Sequence, residues 1–140
     1  MSGMTIPAKS ISHVRLTVTD IDRSRRFYES VFGWPVALEV PEGADAETRA
    51  QFEFLFGGVI YHIGHGLIGL RPVADDTFDE NRAGLDHLSL AVAGKDEIDA
   101  AAAHLDDLGI AHEPVKDIGA MYILEFRDPD NIALELSALK

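Results

Sequence analysis

The sequence predicts an α+β fold made of two similar modules, each with one strand, one helix and then further strands. The first observation is a repeated strand pattern: residues 11–18 and 85–92 both alternate apolar and other residues, with a histidine near each start. Such alternation is typical of a strand with one packed face. The second observation is a helix-like apolar spacing after each strand. Further strand-like segments follow both helices, so we interpret the chain as a duplicated unit with a pseudo-two-fold axis.

The two opening strands are predicted to have one apolar and one polar face. The apolar faces carry Val14, Leu16 and Val18 in the first strand and Leu88, Leu90 and Val92 in the second. The opposite faces carry His13, Arg15 and Thr17, and His87, Ser89 and Ala91.

Capping residues mark the two helices. Asp20 or Asp22 is suited to begin the first helix and Gly33 to end it. The second helix is expected to begin at Asp96 or a neighbour and to stop at Gly109. A run of four alanines at 100–103 favours helix intrinsically.

The remaining elements are strands and loops. In the first half we predict strands at residues 34–40, 51–56, 59–63 and 67–73, with a polar loop at 41–47. In the second half we predict strands at 110–115, 121–127 and 132–137, with a tight turn at 128–131. Residues 74–84 are the expected linker. The 140 residues therefore form one domain, with module one at about 10–73 and module two at about 85–138.

Charge and composition exclude several classes of protein. The net charge of −12 repels phosphate backbones and anionic membranes, so no nucleic-acid or membrane partner is expected. Most of this negative charge falls on residues 71–140. It either forms a solvated acidic surface or attracts a cationic ligand. The absence of cysteine excludes disulfides and thiolate metal sites. The beginning of the chain lacks the apolar core of a signal peptide, and no apolar run is long enough to span a bilayer, so we expect a cytoplasmic protein.

Two histidines and one glutamate are the candidate metal ligands. His13 and His87 occupy the same place in the two repeats and can converge if a pseudo-two-fold relates the halves. In the last strand, alternation turns Glu135 toward the His87 side. A carboxylate on the concave face of a sheet is costly without a partner, and a metal ion would supply one. Two imidazoles and one carboxylate suit one divalent ion of Fe, Mn, Zn, Ni or Co.

Two further motifs accompany the histidines: Phe-Tyr-Glu-Ser-Val-Phe-Gly-Trp at 27–34, and Phe-Arg-Asp-Pro-Asp at 126–130, which leads to Glu135. On these landmarks the chain resembles the vicinal oxygen chelate superfamily, the group of glyoxalase I, extradiol dioxygenases and bleomycin-resistance proteins. The resemblance implies that two βαβββ modules form a cupped mixed sheet around a central metal and ligand cavity, with the helices outside. It also implies a small substrate with vicinal oxygens and a homodimer, with the site either within one chain or between exchanged modules.

The departures from the family are informative. Gly69 stands where the repeat-mate of Glu135 would be, so it cannot supply the fourth ligand of glyoxalase I-like enzymes. A three-ligand site looks more like that of extradiol dioxygenases, and fosfomycin-resistance proteins also use three ligands. Glu125 stands where ring-cleaving members have a tyrosine. We predict that Glu125 is a catalytic acid or base; the alternative is that it pairs with Arg15.

Arg15, His65 and Phe54 are the candidate substrate-binding residues. Arg15 suits an anionic substrate group, or it neutralises nearby carboxylates. Phe54 belongs to an alternating set, Phe52, Phe54 and Phe56, that forms either core or an aromatic wall of the cavity. His62 and His65 are candidates for proton transfer or substrate binding, or are structural, whereas His104 and His112 are expected at the surface.

The leading hypothesis is a divalent-metal enzyme that acts on a small substrate with vicinal oxygens, extradiol dioxygenase-like because of Gly69. The first alternative is a glyoxalase I-like lyase or an isomerase. The second is a non-catalytic protein that sequesters a cationic drug, which the −12 charge favours and the complete ligand set disfavours.

Overall fold

The computed structural model describes residues 3–140 and has two four-stranded mixed sheets, one from each half of the chain. Met1 and Ser2, at the beginning of the stretch that lacks a signal-peptide core, lie outside the described residues. Module one contains β1 (His13–Thr17), α1 (Ile21–Phe32), β2 (Val36–Leu38), α2 (Ala46–Gln51), a 3₁₀ turn (Glu53–Leu55), β3 (Val59–Ile63) and β4 (Gly66–Arg71). Module two contains β5 (Leu88–Ala91), α3 (Lys95–Asp107), β6 (Lys116–Asp117), β7 (Met121–Arg127) and β8 (Ala133–Leu139).

The two sheets have the same topology. Their strand orders are β1-β4-β3-β2 and β5-β8-β7-β6, and the first pair of each sheet is parallel. This confirms the α+β fold of two βαβββ-like modules. The buried residues of one face of each sheet join the helices in one shared core. The opposite face of each opening strand is exposed, as the alternation predicts.

The helix ends follow their capping residues. The Asp20 side chain accepts a hydrogen bond from the backbone N–H of Arg23, which satisfies a free donor at the first turn of α1. Gly33 ends α1 in the left-handed conformation with φ of 63°, and its N–H donates to the carbonyl of Glu29. The helix of module two, α3, begins at Lys95, one residue earlier than the predicted Asp96, and Gly94 precedes it. None of the helices in the described part of the chain has the length and hydropathy of a membrane span.

The segment 51–56 is not a strand, so that prediction is wrong. Here α2 begins inside the predicted polar loop, with the Asp45 side chain accepting from Thr48, and the 3₁₀ turn follows. Leu55 is the buried residue of this turn, whereas Phe54 and Phe56 are about half exposed. The predicted strand at 110–115 is also absent: the short strand β6 lies just after it, and residue 112 forms only an isolated bridge with β7.

The two modules are joined by a buried contact between α1 and the turn that precedes β8. The Tyr28 hydroxyl donates to Asp128 Oδ2 at 2.7 Å, and Asp130 accepts from Thr19 and Arg23. Both carboxylates are almost completely buried. Burial raises the pKa of Asp128 and of Tyr28 above their ordinary values, and the proximity of the Asp128 carboxylate raises that of Tyr28 further. This contact, the Tyr28–Asp128 clasp, fixes the turn from which β8 begins.

Candidate metal centre

His87 and Glu135 lie side by side on the open face of module two. The distance between His87 Nε2 and Glu135 Oε2 is 3.7 Å. The imidazole is held through its other nitrogen, because Asp86 Oδ1 lies 2.6 Å from His87 Nδ1. Ser89 donates to Glu135 Oε1 at 2.8 Å. One nitrogen of His87 and one oxygen of Glu135 are therefore oriented by neighbours, and the second nitrogen and second oxygen are the two atoms that lie 3.7 Å apart.

Glu125 lies directly opposite Glu135 in the β7–β8 ladder. Their side chains share a face, and like charges opposite one another destabilise a sheet unless a cation lies near them. Lys116 supplies one such cation, since its ammonium is 3.1 Å from Glu125 Oε1. Within one chain the partner of Glu125 is therefore Lys116, whereas the Arg15 guanidinium donates to the carbonyl of Phe54.

These groups line an open cavity of about 450 Å³ in module two. The hydrogen bond that Asp86 accepts from His87 raises the pKa of His87, although burial opposes it, and the charges of Glu135 and Glu125 add to the rise. His112 also lines the cavity, with only 14% of its side chain exposed, so the expectation that it is a surface residue is wrong. Its two nitrogens contact the carbonyl of Glu113 and the carboxylate of Asp106, which together raise its pKa.

His13 lies on the open face of module one and does not join His87 and Glu135 within the chain. It lines a small separate cavity with Arg15 and Gly69. Across residues 3–140, no group of three or more His, Cys, Asp or Glu side chains is placed to hold a metal ion. The described part of one chain therefore does not bring the three expected metal ligands together. His13 nevertheless repeats the arrangement of His87, because Ser12 Oγ lies 3.1 Å from its Nδ1.

Strand register supports the equivalence of Gly69 and Glu135. Arg15 pairs with Gly69 in the first sheet, and Ser89 pairs with Glu135 in the second. Arg15 and Ser89 each lie two residues after the histidine of their repeat. Gly69 therefore occupies the register position at which module two carries its carboxylate.

The remaining candidates lie in module one. Phe54 lies in the 3₁₀ turn with its carbonyl on Arg15, so it is not part of an alternating strand face. His65 lies exposed in the turn between β3 and β4, and His62 is exposed on β3. His104 is exposed as expected, and its Nε2 contacts the carbonyl of Ser30. Sequence reasoning missed Lys116 and the orienting role of Asp86; the only signal for Asp86 is its position next to His87.

His87 and Glu135 of module two could supply two of the ligands of a divalent ion. Nitrogen and oxygen ligands lie about 2.0–2.2 Å from such ions, so two donors on one ion are roughly 3–3.6 Å apart. The separation of 3.7 Å between His87 Nε2 and Glu135 Oε2 is close to that range. A third ligand of the same kind is needed to complete a two-histidine, one-carboxylate set.

The chain belongs to the glyoxalase/bleomycin resistance protein/dioxygenase superfamily, whose sequence profile matches residues 10–136. Two modules of one topology, with a histidine at the same place in each, agree with that assignment. A glyoxylase/bleomycin resistance protein/dioxygenase domain from Frankia sp. EAN1pec is 31% identical, with a TM-score of 0.76 over 95% of this chain and 93% of that one.

Two more distant structures share the fold. Lactoylglutathione lyase from Agrobacterium tumefaciens is 20% identical, with a TM-score of 0.70 over 95% of this chain and 96% of that one. A mutant of the fosfomycin resistance protein FosX from Listeria monocytogenes, complexed with Mn(II) and 1S,2S-dihydroxypropylphosphonic acid, is 18% identical, with a TM-score of 0.73 over 95% and 94%. A comparison with curated proteins gives no match.

Proposed function

We propose that this protein is a divalent-metal-dependent enzyme acting on a small substrate with vicinal oxygens. The observation that carries the proposal is the preorganised pair on module two: His87 Nε2 is 3.7 Å from Glu135 Oε2, and each group is oriented by its own neighbour. The FosX relative contains Mn(II) on the same fold, which supports a metal in this class of site. The identity of the ion stays open among Fe, Mn, Zn, Ni and Co.

His13 of a second copy is the proposed third ligand. Within one chain His13 is on the other open face, and both faces are left uncovered by the core. In a homodimer, module one of each copy would face module two of the other, which would form two equivalent sites. At both His13 and His87 a neighbouring side chain contacts Nδ1 and orients the imidazole ring. Nε2 is then the nitrogen that each histidine would offer to the ion.

Glu125 is the proposed proton-transfer group. When bound, the ion would anchor two adjacent substrate oxygens and withdraw electron density from them. Glu125 lies one strand away from Glu135 in the same cavity, and Lys116 holds its carboxylate. A carboxylate placed beside the substrate can take a proton from carbon or from water, and this is the chemistry of an isomerase, a lyase or a hydrolase.

Extradiol dioxygenase-like chemistry is the second candidate, and Gly69 is the observation that favours it. With glycine at this position, only three protein ligands remain for the ion. A three-ligand site leaves room for both a substrate and O₂ on Fe(II). Oxygen consumption by the Fe(II)-loaded protein with a panel of catechols would establish this candidate, and no consumption would leave the proton-transfer proposal.

Metal stoichiometry and complementation between variants test the proposal. The wild-type protein should retain about one ion per chain after loading with Mn(II), Fe(II), Zn(II) or Ni(II) and gel filtration, as measured by elemental analysis. His13→Ala, His87→Ala and Glu135→Gln should each lose it. His104→Ala is the matched control and should keep it, because His104 lies outside the cavity.

Mixing variants distinguishes a shared site from an internal one. Refolding a mixture of His13→Ala and His87→Ala chains creates heterodimers with one complete site if the site is shared between copies. A quarter of the wild-type metal content is then expected for random pairing, whereas an internal site recovers none. Wild-type protein that takes up no metal at all contradicts the enzyme proposal and favours a drug-binding protein of the bleomycin-resistance kind.

A further inference from the structure

The open face of module one is cationic although the chain as a whole is strongly acidic. Strands β1, β3 and β4 contain no Asp or Glu, whereas the chain contains 24 such residues. The same strands place four basic or titratable side chains away from the core: His13, Arg15, His62 and Arg71. The strands themselves thus place no carboxylate beside these cations, although Asp76 and Asp79 of the segment 74–84 line a neighbouring cavity together with Arg15.

Arg15 is positioned by its surroundings and does not extend freely into solvent. Its side chain crosses Gly69, where an added Cβ would lie 3.2 Å from Arg15 Cγ. Its guanidinium donates to the carbonyl of Phe54 at 2.5 Å. Gly69 therefore makes room for the stem of Arg15, and one backbone contact sets the direction of the head. The remaining N–H groups are available for a planar or tetrahedral anion.

Arg71 lies on the same face, close to Arg15. It pairs in register with Thr17, two residues along β1 from Arg15. The Arg71 guanidinium carbon is 4.2 Å from the centroid of the Phe56 ring, a cation–π contact. The segment 52–56 thus contacts both arginines, and its Phe54 and Phe56 rings are about half exposed. Apolar side chains of Ile60 and Leu67 line the small cavity beside Arg15.

We propose that Arg15 and Arg71 form an anion-binding subsite, and that the substrate carries a carboxylate or phosphonate group next to an apolar body. This proposal rests on the proposed function in one respect: in a homodimer, the face of module one closes over the metal centre of module two. The arginines would hold the anionic group, while Phe54, Ile60 and Leu67 would contact the apolar part. Gly69 is then a specificity-determining residue, because a Cβ at this position would press on Arg15 Cγ at 3.2 Å and displace the arginine stem.

The competing explanation is that the arginines neutralise protein carboxylates. Module two carries Glu125, Glu135 and Asp86 around its cavity, and a second copy would bring them near Arg15. In that case, replacing Arg15 would weaken dimerisation and leave anion affinity unchanged. The two explanations therefore predict opposite results for one variant.

Binding of small probes to the metal-free protein tests the subsite separately from the enzyme proposal. The probes are phenylphosphonate, benzoate and neutral benzyl alcohol, titrated at constant ionic strength while the ¹⁵N–¹H signals of the Arg15 and Arg71 side chains are followed. Phenylphosphonate, benzoate or both should bind saturably and at least about tenfold more tightly than benzyl alcohol. The stronger of the two acids identifies which anion the site prefers.

Variants complete the test. Arg15→Gln and Gly69→Ala should each weaken binding of the preferred acid by about tenfold or more, and Arg15→Lys should restore less than the full affinity. Arg26→Gln on α1, which removes an exposed arginine from another surface, should leave it unchanged. If Gly69→Ala fails to fold, Arg15→Gln alone decides. Equal binding of all three probes, or an Arg15→Gln protein with unchanged affinity and a weakened dimer, overturns the proposal, whatever the result of metal loading.

Discussion

Replacing Tyr28 with phenylalanine should destabilise the protein because it removes the hydroxyl of the Tyr28–Asp128 clasp. The ring itself is fully buried and stacks near Phe32 and Trp34, so the variant keeps its packing. The lost hydrogen bond joins a neutral donor to a carboxylate at 2.7 Å. Such bonds contribute about 1.5–3 kcal/mol.

The magnitude depends on what remains at Asp128. Its Oδ1 still accepts from the backbone N–H groups of Asp130 and Ile132, both at 2.8 Å, so only Oδ2 loses its partner. We therefore expect a loss of about 2 kcal/mol in the free energy of unfolding, or roughly 6 °C in Tm for a chain of this size. Urea unfolding followed by circular dichroism measures it. Tyr122→Phe is the matched control, because within residues 3–140 the Tyr122 hydroxyl has no hydrogen bond, and it should change stability by less than about 0.5 kcal/mol.

The pH dependence gives the same prediction a second readout. Burial already raises the pKa of Asp128, and the Tyr28 hydroxyl opposes that rise. Without the hydroxyl the folded-state pKa rises further above the ordinary value of 3.8. When the folded-state pKa of a carboxyl lies above its unfolded-state pKa, stability falls as pH rises from the lower to the higher of the two values. The stability that Tyr28→Phe loses relative to the wild type should therefore be small near pH 4 and largest at pH 7. A deficit below about 0.5 kcal/mol at pH 7, or one independent of pH, refutes the reasoning.

Three further substitutions test other parts of the fold. Gly58→Ala should cost about 3 kcal/mol or prevent folding, because the new Cβ would lie 1.9 Å from the carbonyl oxygen of Leu70; unchanged urea unfolding would contradict this. Leu124→Ala should cost about 2–5 kcal/mol by the same measurement, since Leu124 is fully buried in the core. His112→Gln should flatten the stability profile above pH 6.5: contact with the Glu113 carbonyl raises the His112 pKa, so its contribution is complete below pH 6.5 and is lost as pH rises through the raised value.

Local sequence patterns were sufficient where one principle dominates the conformation. Alternation predicted β1 and β8 because each has one face in the core, and Asp20 and Gly33 predicted the ends of α1 because each satisfies free backbone groups there. The segment 51–56 was misread because three alternating phenylalanines satisfy a strand pattern equally well. In the structure Phe56 is in the left-handed conformation with φ of 53°, which no strand allows.

The arrangement of the candidate site depends on contacts that no local pattern records. The sequence indicated correctly that His87 and Glu135 lie on one face, because His87 immediately precedes β5 and Glu135 lies in β8 of the same sheet. It could not indicate whether His13 meets them, since that depends on how two modules pack through α1 and the turn before β8. The pairing of Glu125 with Lys116 was missed for the same reason: β6 is only two residues long and has no recognisable strand pattern.

The two modules differ at one equivalent register position, where module two has Glu135 and module one has Gly69. The different charges that the two modules carry around this position explain the difference. Two histidines and one carboxylate already suit a divalent ion, and a second carboxylate at position 69 would occupy a coordination position that a substrate with two oxygens needs. It would also place a negative group where Arg15 now crosses the sheet. Glycine at 69 would therefore have two effects. It would leave a coordination position of the ion free for substrate, and it makes room for the side chain of Arg15. Module two would then hold the metal and the proton-transfer group, and module one would supply the third ligand and select the substrate by its charge.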